Sequence, residues 1–130
     1  MTPIAVVAAV IERDDAFLLT LRPEGTHLAG HWEFPGGKVH DSETHAEALR
    51  REIFEELDAV AIVGELVHTV THAYPEKIVE LFFYRCELDG DAKPMMGQQM
   101  RWIARRELSA LPFPEADRDL ISQLIGRSLS

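Results

Sequence analysis

The segment that decides the fold is Gly37–Glu56, which has the sequence GKVHDSETHAEALRREIFEE. Glu52, Glu55 and Glu56 are spaced at i, i+3 and i+4, so on a helix they share roughly a third of the circumference. Like charges at these spacings destabilise an isolated helix by about 0.2–0.5 kcal/mol per pair. Carboxylate oxygens are ligands that Mg²⁺ and Mn²⁺ prefer, so a bound cation would relieve the repulsion. A solvated acidic helix face is the alternative interpretation.

The same segment contains the signals for its own helix. Thr44-His45-Ala46-Glu47 has the S/T-x-x-E form of a capping box, which predicts a helix that begins at Thr44. Its apolar face is predicted to pack on a sheet through Ala46, Leu49, Ile53 and Leu57. Asp58 follows where glycine usually adopts the left-handed conformation, so a modest loss of stability is expected there.

Apolar runs elsewhere in the chain predict a mixed sheet. Ile4–Ile11 is a continuous β-branched run, typical of a strand covered on both faces, and Ala16–Arg22 is its expected hairpin partner. Four more strands are predicted at Trp32–Phe34, Ile62–Thr71, Lys77–Leu88 and Gln99–Ala104, the last with a packed Trp102. One helical turn is predicted at Arg105–Leu108 and a helix at Ala116–Arg127. Two helices on opposite faces of this sheet predict an α/β (α+β) sandwich.

Composition narrows the classes of function. The length of 130 residues suits one domain, residues 1–130, and the net charge of −9 argues against binding to duplex nucleic acid. Cys86 is the only cysteine, so no intrachain disulfide is expected. Met1-Thr2-Pro3 lacks a basic leader, and Ile4–Ile11 is too short to cross a bilayer. We therefore expect a cytoplasmic protein with no membrane association.

The acidic segment resembles the signature box of the Nudix hydrolases. That pattern is Gly, x5, Glu, x7, Arg-Glu, an apolar residue, x, Glu-Glu, x, Gly and a final apolar residue, and here it spans residues 37–59. Seven of the nine specified positions match directly, and they are Gly37, Glu43, Arg51, Glu52, Ile53, Glu55 and Glu56. Ala59 serves as the final apolar residue, whereas Asp58 replaces the glycine.

Two further stretches resemble the MutT-like branch of that family, namely Trp32–Lys38 (WEFPGGK) and the Gly97-Gln98 step. The resemblance implies the Nudix α/β/α sandwich and a Mg²⁺-dependent pyrophosphohydrolase. Its expected substrates are (deoxy)nucleoside triphosphates, oxidised ones such as 8-oxo-dGTP included, and its products are the monophosphate and pyrophosphate. The alternatives are a hydrolase of the ADP-ribose type and a nucleotide-binding module with weak turnover, which Asp58 and Met96 would favour.

The resemblance also implies a metal site. Glu52, Glu55 and Glu56 would bind Mg²⁺, with Mn²⁺ as a substitute, and backbone oxygen around Gly36 would contribute. Glu52 is expected to lie closest to the attacking water, as a metal ligand and candidate base.

Arg51 and Glu43 complete the catalytic group that the resemblance implies. Arg51 would orient the glutamates, although by spacing alone it is equally a helix partner of Glu47 or Glu55. Glu43 would be a carboxylate linked to the metal site, or simply an acid that precedes the helix cap. MutT-like enzymes often carry a further acid where Met96 stands, so the identity of the base stays open.

Three residues are expected to bind the nucleotide substrate in this resemblance. Arg22 would contact the nucleotide or be a surface arginine, and Phe34 would border the base or belong to the core. Asp117 would read the base edge, where an ionised carboxylate accepts N–H donors, or cap the last helix. The expected assembly is a monomer or homodimer.

Overall fold

The computed structural model describes residues 2–126. Its elements are β1 (Ile4–Arg13), β2 (Ala16–Leu21), β3 (Trp32–Glu33), β4 (Gly36–Lys38), α1 (His45–Leu57), β5 (Val60–Tyr74), β6 (Lys77–Asp89), β7 (Met100–Ala104) and α2 (Arg118–Gly126). Two 3₁₀ segments, Arg105–Ala110 and Glu115–Asp117, precede α2. No helix within residues 2–126 has both the length and the apolar character needed to cross a bilayer.

The strands form a mixed sheet in the order β3-β2-β1-β6-β5. β1 and β6 run parallel, from the pair Ile4 and Val79 to the pair Ile11 and Cys86, whereas β5 and β6 form a long antiparallel hairpin. β4 adds to β1, and β7 adds to β2. This central position explains why β1 is apolar along most of its length.

Alternate residues of β1 face two separate cores, because successive side chains of a strand point to opposite faces. Val7, Ala9 and Ile11 pack with the buried face of α1. Ala8 and Val10 pack with α2 and with aromatic residues of β2, β3 and β6. The predicted α/β/α sandwich is therefore confirmed.

The capping box at the start of α1 is present as predicted. Thr44 Oγ1 accepts the Glu47 N–H at 3.1 Å, and Glu47 Oε1 accepts the Thr44 N–H at 2.8 Å. The buried face was predicted wrongly at one residue, since Ala46 is only half-buried and Ala48 is buried instead. A side chain in the first turn points back past the start of the helix, so Ala46 reaches less of the core.

The end of α1 is closed by Asp58 and by the loop before β7. Asp58 has φ 51° and ψ 41°, the left-handed conformation expected at this position, and its N–H donates to Phe54 O at 3.0 Å. Glu56 O accepts both the Met95 N–H at 2.9 Å and Gln98 Nε2 at 3.1 Å. The Gly-Gln step is thereby fixed beside the acidic end of the helix.

Two predictions at the C-terminal side need correction. Trp102 is 37% exposed rather than packed, because β7 pairs only with β2 among the described strands and so forms a sheet edge. The Arg13 guanidinium lies 5.5 Å from its ring centroid. The last helix begins at Arg118 rather than Ala116, and its predicted end at Arg127 lies outside the described residues.

Candidate functional site

Arg51 connects the acids of α1 to the loop that precedes the helix. Its Nε and Nη2 atoms donate to the two oxygens of Glu43 at 2.8 and 3.0 Å, and its Nη1 donates to Glu52 Oε1 at 2.8 Å. Nη2 also donates to the Lys38 carbonyl at 3.0 Å. The Arg51 bonds, followed by the His40 N–H, lower the pKa of Glu43 to about 2. Glu43 is therefore a fixed anion that holds Arg51 against Glu52.

Glu52 and Glu56 form a close pair of carboxyl groups at the end of this network. The Glu52 side chain is 16% exposed, and Glu56 Oε2 is buried without a hydrogen-bond partner. Burial raises the pKa of Glu56 well above its ordinary value, and interaction with Glu52 raises it further. The pair thus favours an added positive charge, which a dication as well as a proton can supply. This chemistry fits a divalent metal.

Glu55 lies farther from the pair. Its side chain is 56% exposed, and its nearest cation is Arg51 Nη1 at 3.7 Å. Within the described part of the chain, no three Asp, Glu, His or Cys side chains converge closely enough to enclose an ion.

Two adjoining clefts meet near this acidic group, and we name them the phosphate cleft and the base cleft after the parts of a nucleotide that the family resemblance leads us to expect there. The phosphate cleft has a volume of about 310 Å³ and is lined by Thr20, Leu21, Arg22, Pro23, Thr26, Glu33, Gly36, Glu52, Glu55, Glu56, Met96 and Gln98. The base cleft has a volume of about 250 Å³, and its lining includes Phe34, Phe83, Tyr74, Lys77 and Asp117. Arg22, Glu33 and Gly36 line both clefts. An elongated ligand with an aromatic end and an anionic end would fit across the junction when a dication offsets the charge of the lining acids.

The two glycines before α1 are needed for a reason that the sequence did not reveal. Neither Gly36 nor Gly37 has a positive φ, so backbone conformation does not require glycine at these positions. Instead, a Cβ on Gly36 would lie 2.0 Å from Val7 O, and one on Gly37 would lie 2.4–2.6 Å from the Glu52 carboxyl group. Gly37 therefore leaves the space that the Glu52 carboxylate occupies.

Gly37→Ala is expected to lower kcat of the hydrolysis that the family resemblance predicts by about 10²-fold, while the protein stays folded. The new methyl group would displace Glu52, and a shift of about 1 Å in a reacting group can cost that much. Steady-state kinetics and thermal melting would measure the two effects. Gly36→Ala is the contrasting variant, expected to lose about 1–3 kcal/mol of stability because backbone atoms of β1 block its Cβ. Full activity in Gly37→Ala would contradict this role.

The three residues expected at the substrate lie together around the junction. Arg22 Nη1 donates to Glu33 Oε2 at 3.1 Å, and its Nε donates to His27 O at 2.8 Å. Phe34 is both a core residue and a wall of the base cleft, in edge contact with Phe83 at 5.9 Å. Both predicted positions of Phe34, in the core and at the border of the cleft, are therefore compatible with the structure.

Asp117 is buried in the wall of the base cleft, with 6% of its surface exposed. Among the described residues its carboxylate has no hydrogen-bond partner, so it does not cap α2. Burial, and then the negative charge of Glu33, raise the pKa of Asp117 to about 7. A carboxyl group without protein partners is available to a ligand.

Asp117→Asn is expected to stabilise the protein in a pH-dependent way. In the unfolded chain Asp117 ionises near its ordinary pKa of 3.8, whereas in the folded protein it ionises near 7. The wild type therefore loses stability as the pH rises between these values, by at most about 1.4 kcal/mol per pH unit. Because the cleft admits water, we expect a total gain of about 2 kcal/mol for the variant at pH 8 and none at pH 4. Urea unfolding across this range would test it, and a gap independent of pH would contradict it.

The sequence did not identify Glu33, Tyr74 and Lys77 as site residues. Glu33 stands between the buried residues Trp32 and Phe34. A single acid between two aromatic residues of a strand is a sequence signal from which Glu33 could have been predicted as a site residue. Tyr74 and Lys77 come from the tip of the β5–β6 hairpin, which only the tertiary fold brings to the base cleft.

Comparison with known proteins shows the family of this chain. The NUDIX domain family model matches residues 6–123. An 8-oxo-dGTP diphosphatase of Haemophilus influenzae is 40% identical over 125 residues, which are 94% of this chain and 92% of that protein. A CTP pyrophosphohydrolase of Escherichia coli is 38% identical over 127 residues, which are 97% of this chain and 94% of that protein.

Solved structures show the same similarity. The solution structure of the Escherichia coli ORF135 protein has a TM-score of 0.85 and 36% identity, and the match covers 97% of this chain and 91% of that one. The crystal structure of a MutT NUDIX hydrolase from Burkholderia pseudomallei has a TM-score of 0.86 and 28% identity, with 95% and 98% covered. The chain therefore belongs to the NUDIX domain family, and it is a Nudix hydrolase of the MutT type.

Proposed function

We propose that this hydrolase converts (deoxy)nucleoside triphosphates, including oxidised ones such as 8-oxo-dGTP, to the monophosphate and pyrophosphate. The observation that carries the proposal is the junction of an acidic cleft with an aromatic one, at Arg22, Glu33 and Gly36. A nucleoside triphosphate has an aromatic base for the aromatic cleft and an anionic chain that a cation held by the acids would bind. Two relatives with names that specify nucleoside triphosphates support the same class.

Mg²⁺, with Mn²⁺ as a substitute, would be held by Glu52, Glu55 and Glu56 together with backbone oxygen of Gly36. The bound cation would neutralise phosphate charge, lower the pKa of water and stabilise the leaving group. Arg51 donates to Glu52 Oε1 and so orients the Glu52 carboxylate, which would accept a proton from the attacking water. Arg51 keeps this orientation because both oxygens of Glu43 fix its guanidinium group. No acid stands at Met96, so we assign the role of base to Glu52.

At the other end, Asp117 would accept hydrogen bonds from the N–H groups of the base, and Phe34 would form part of the wall beside it. Cytosine and adenine amines and the N–H groups of guanine all present such donors. The two relatives are named for different bases, 8-oxoguanine and cytosine, and both bases present N–H donors to a carboxylate.

The direct test is a panel of normal and oxidised nucleoside triphosphates, with and without Mg²⁺, scored by product identity. We expect monophosphate and pyrophosphate, formed only with the metal. AMP from ADP-ribose, with no turnover of triphosphates, would select the alternative diphosphate-linked class. Binding of nucleotide without release of pyrophosphate would select a weak or inactive binding module, in which Asp58 and Met96 are the departures that matter.

Several expectations from the sequence also remain part of this proposal. We propose that residues 1–130 form one domain, that the protein acts in the cytoplasm as a monomer or homodimer, and that it binds neither duplex nucleic acid nor membranes. The charge of −9 supports the statement about nucleic acid.

A further inference from the structure

Tyr74 occupies a position in the base cleft that the sequence did not predict. It is the last residue of β5 and pairs with Lys77 across the tip of the β5–β6 hairpin. Its side chain lines the base cleft together with Phe34 and Asp117, which come from other elements. Burial raises the pKa of Tyr74, and the negative charge of Asp117 raises it further, as expected for a hydroxyl group in the field of that carboxylate.

Three neighbours hold the Tyr74 ring in place. The His27 ring meets it edge-on, with centroids 4.8 Å apart and an interplanar angle of 85°. The His72 ring lies 4.6 Å away at 62°, and Lys77 Nζ lies 5.7 Å from the ring centroid. Contacts on several sides restrict the rotamers of Tyr74, so a ligand that meets this ring finds it already oriented.

The contact with His27 also joins two segments that border the base cleft. His27 belongs to the loop between β2 and β3, and its carbonyl oxygen accepts Arg22 Nε at 2.8 Å. Arg22 Nη1 in turn donates to Glu33, which lines both clefts. The loop is tied internally as well, because Thr26 Oγ1 donates to Pro23 O at 2.6 Å. These hydrogen bonds fix the loop that carries His27, and so they hold the His27 ring against the Tyr74 ring.

We propose that Tyr74, supported by His27, is a substrate-binding residue that contacts the nucleobase through its aromatic ring. The inference rests on the proposed function for its ligand, a nucleoside phosphate. Aromatic side chains bind bases by stacked or edge contacts that any base can make. Tyr74 would thus set the affinity for the base, Asp117 would select among bases, and neither would take part in phosphate chemistry.

The test compares Tyr74→Ala, Tyr74→Phe and His27→Ala with wild type. We expect Tyr74→Ala to raise KM for the best triphosphate about tenfold and to weaken calorimetric binding of the matching nucleoside monophosphate, with Mg²⁺ present, by a similar factor. The value of kcat should change less than threefold, and inhibition by inorganic pyrophosphate should not change. Tyr74→Phe keeps the ring and should behave like wild type, whereas His27→Ala should show a smaller loss than Tyr74→Ala.

Trp102→Ala is the matched control, since Trp102 is an exposed aromatic residue that lines neither cleft. Unchanged affinity in Tyr74→Ala, an equal loss in Trp102→Ala, or a loss in Tyr74→Phe as large as in Tyr74→Ala would each overturn the inference. A wild type that binds no monophosphate would overturn it as well. If triphosphates are not hydrolysed but monophosphates bind in a way that depends on Tyr74, the proposed reaction fails and the inference stands.

Discussion

Replacing Glu52 with glutamine is expected to lower kcat by about 10³-fold, which corresponds to about 4 kcal/mol in the activation barrier. The amide keeps the shape of the side chain, although its hydrogen bond with Arg51 is weaker because the charge is lost. It can neither accept a proton from water nor neutralise the charge of a metal ion. KM should change much less, because the base cleft and Arg22 are untouched. Thermal stability should be unchanged or higher, because burial and then the interaction with Glu52 raise the pKa of Glu56, and the variant removes the charge of Glu52.

Glu47→Gln is the matched control for this variant. It makes the same chemical change on the same helix, and glutamine is an accepted partner in a capping box. We expect its turnover and melting temperature to stay close to those of wild type. Comparable losses of kcat in both variants, or near-normal turnover by Glu52→Gln, would remove Glu52 from the role assigned to it.

The second large effect is a loss of stability, and it comes from a residue that lines neither cleft. Arg105→Met is expected to lower the free energy of unfolding by about 3 kcal/mol. The buried Arg105 guanidinium donates to Asp15 Oδ1 at 2.7 Å, to a Glu12 carboxylate oxygen and to Leu124 O at 2.7 Å, and it lies 4.9 Å from the Phe17 ring centroid. Methionine fills similar space but leaves these acceptors unpaired. Removing one partner of a buried ion pair typically costs about 3–5 kcal/mol, and partial exposure of the two acids puts the estimate at the lower end.

Arg106→Met is the natural control, because Arg106 is the adjacent residue and is exposed. Surface substitutions of this kind usually change stability by less than about 0.5 kcal/mol. Urea unfolding of both variants would give the comparison, and kcat below the melting transition should be near wild type in each. Equal stabilities for the two variants would mean that the Arg105 network does not join the β1–β2 hairpin to α2 energetically.

The parts of the fold that could be predicted are those with local causes. The capping box of α1 depends on Thr44 and Glu47, which are three residues apart, and the left-handed Asp58 follows directly from the end of the same helix. The apolar run at Ile4–Ile11 likewise predicts a covered strand from its own composition. Such signals survive in the sequence because the interacting residues are neighbours in it.

The parts that could not be predicted depend on distant residues. The acids that bind the buried Arg105, Asp15 and Glu12, lie about 90 positions earlier in the chain. The residues next to Arg105 in the sequence therefore predict only a helical turn. The need for glycine at position 37 arises from Glu52 rather than from backbone geometry. Tyr74 reaches the base cleft only because β5 and β6 form a long hairpin. Sequence spacing therefore predicts which acids share one face of α1, but it does not predict the residues that the β5–β6 hairpin adds to the base cleft.

The central claim is that Glu52, Glu55 and Glu56 exist to hold a divalent cation against a polyphosphate. Its most direct test is calorimetric titration of Mn²⁺ into the wild type and into a Glu52→Gln/Glu56→Gln double variant. Saturable binding by the wild type that is lost in the double variant is the predicted result. Equal binding by both proteins, or none by the wild type even with nucleotide present, would contradict it.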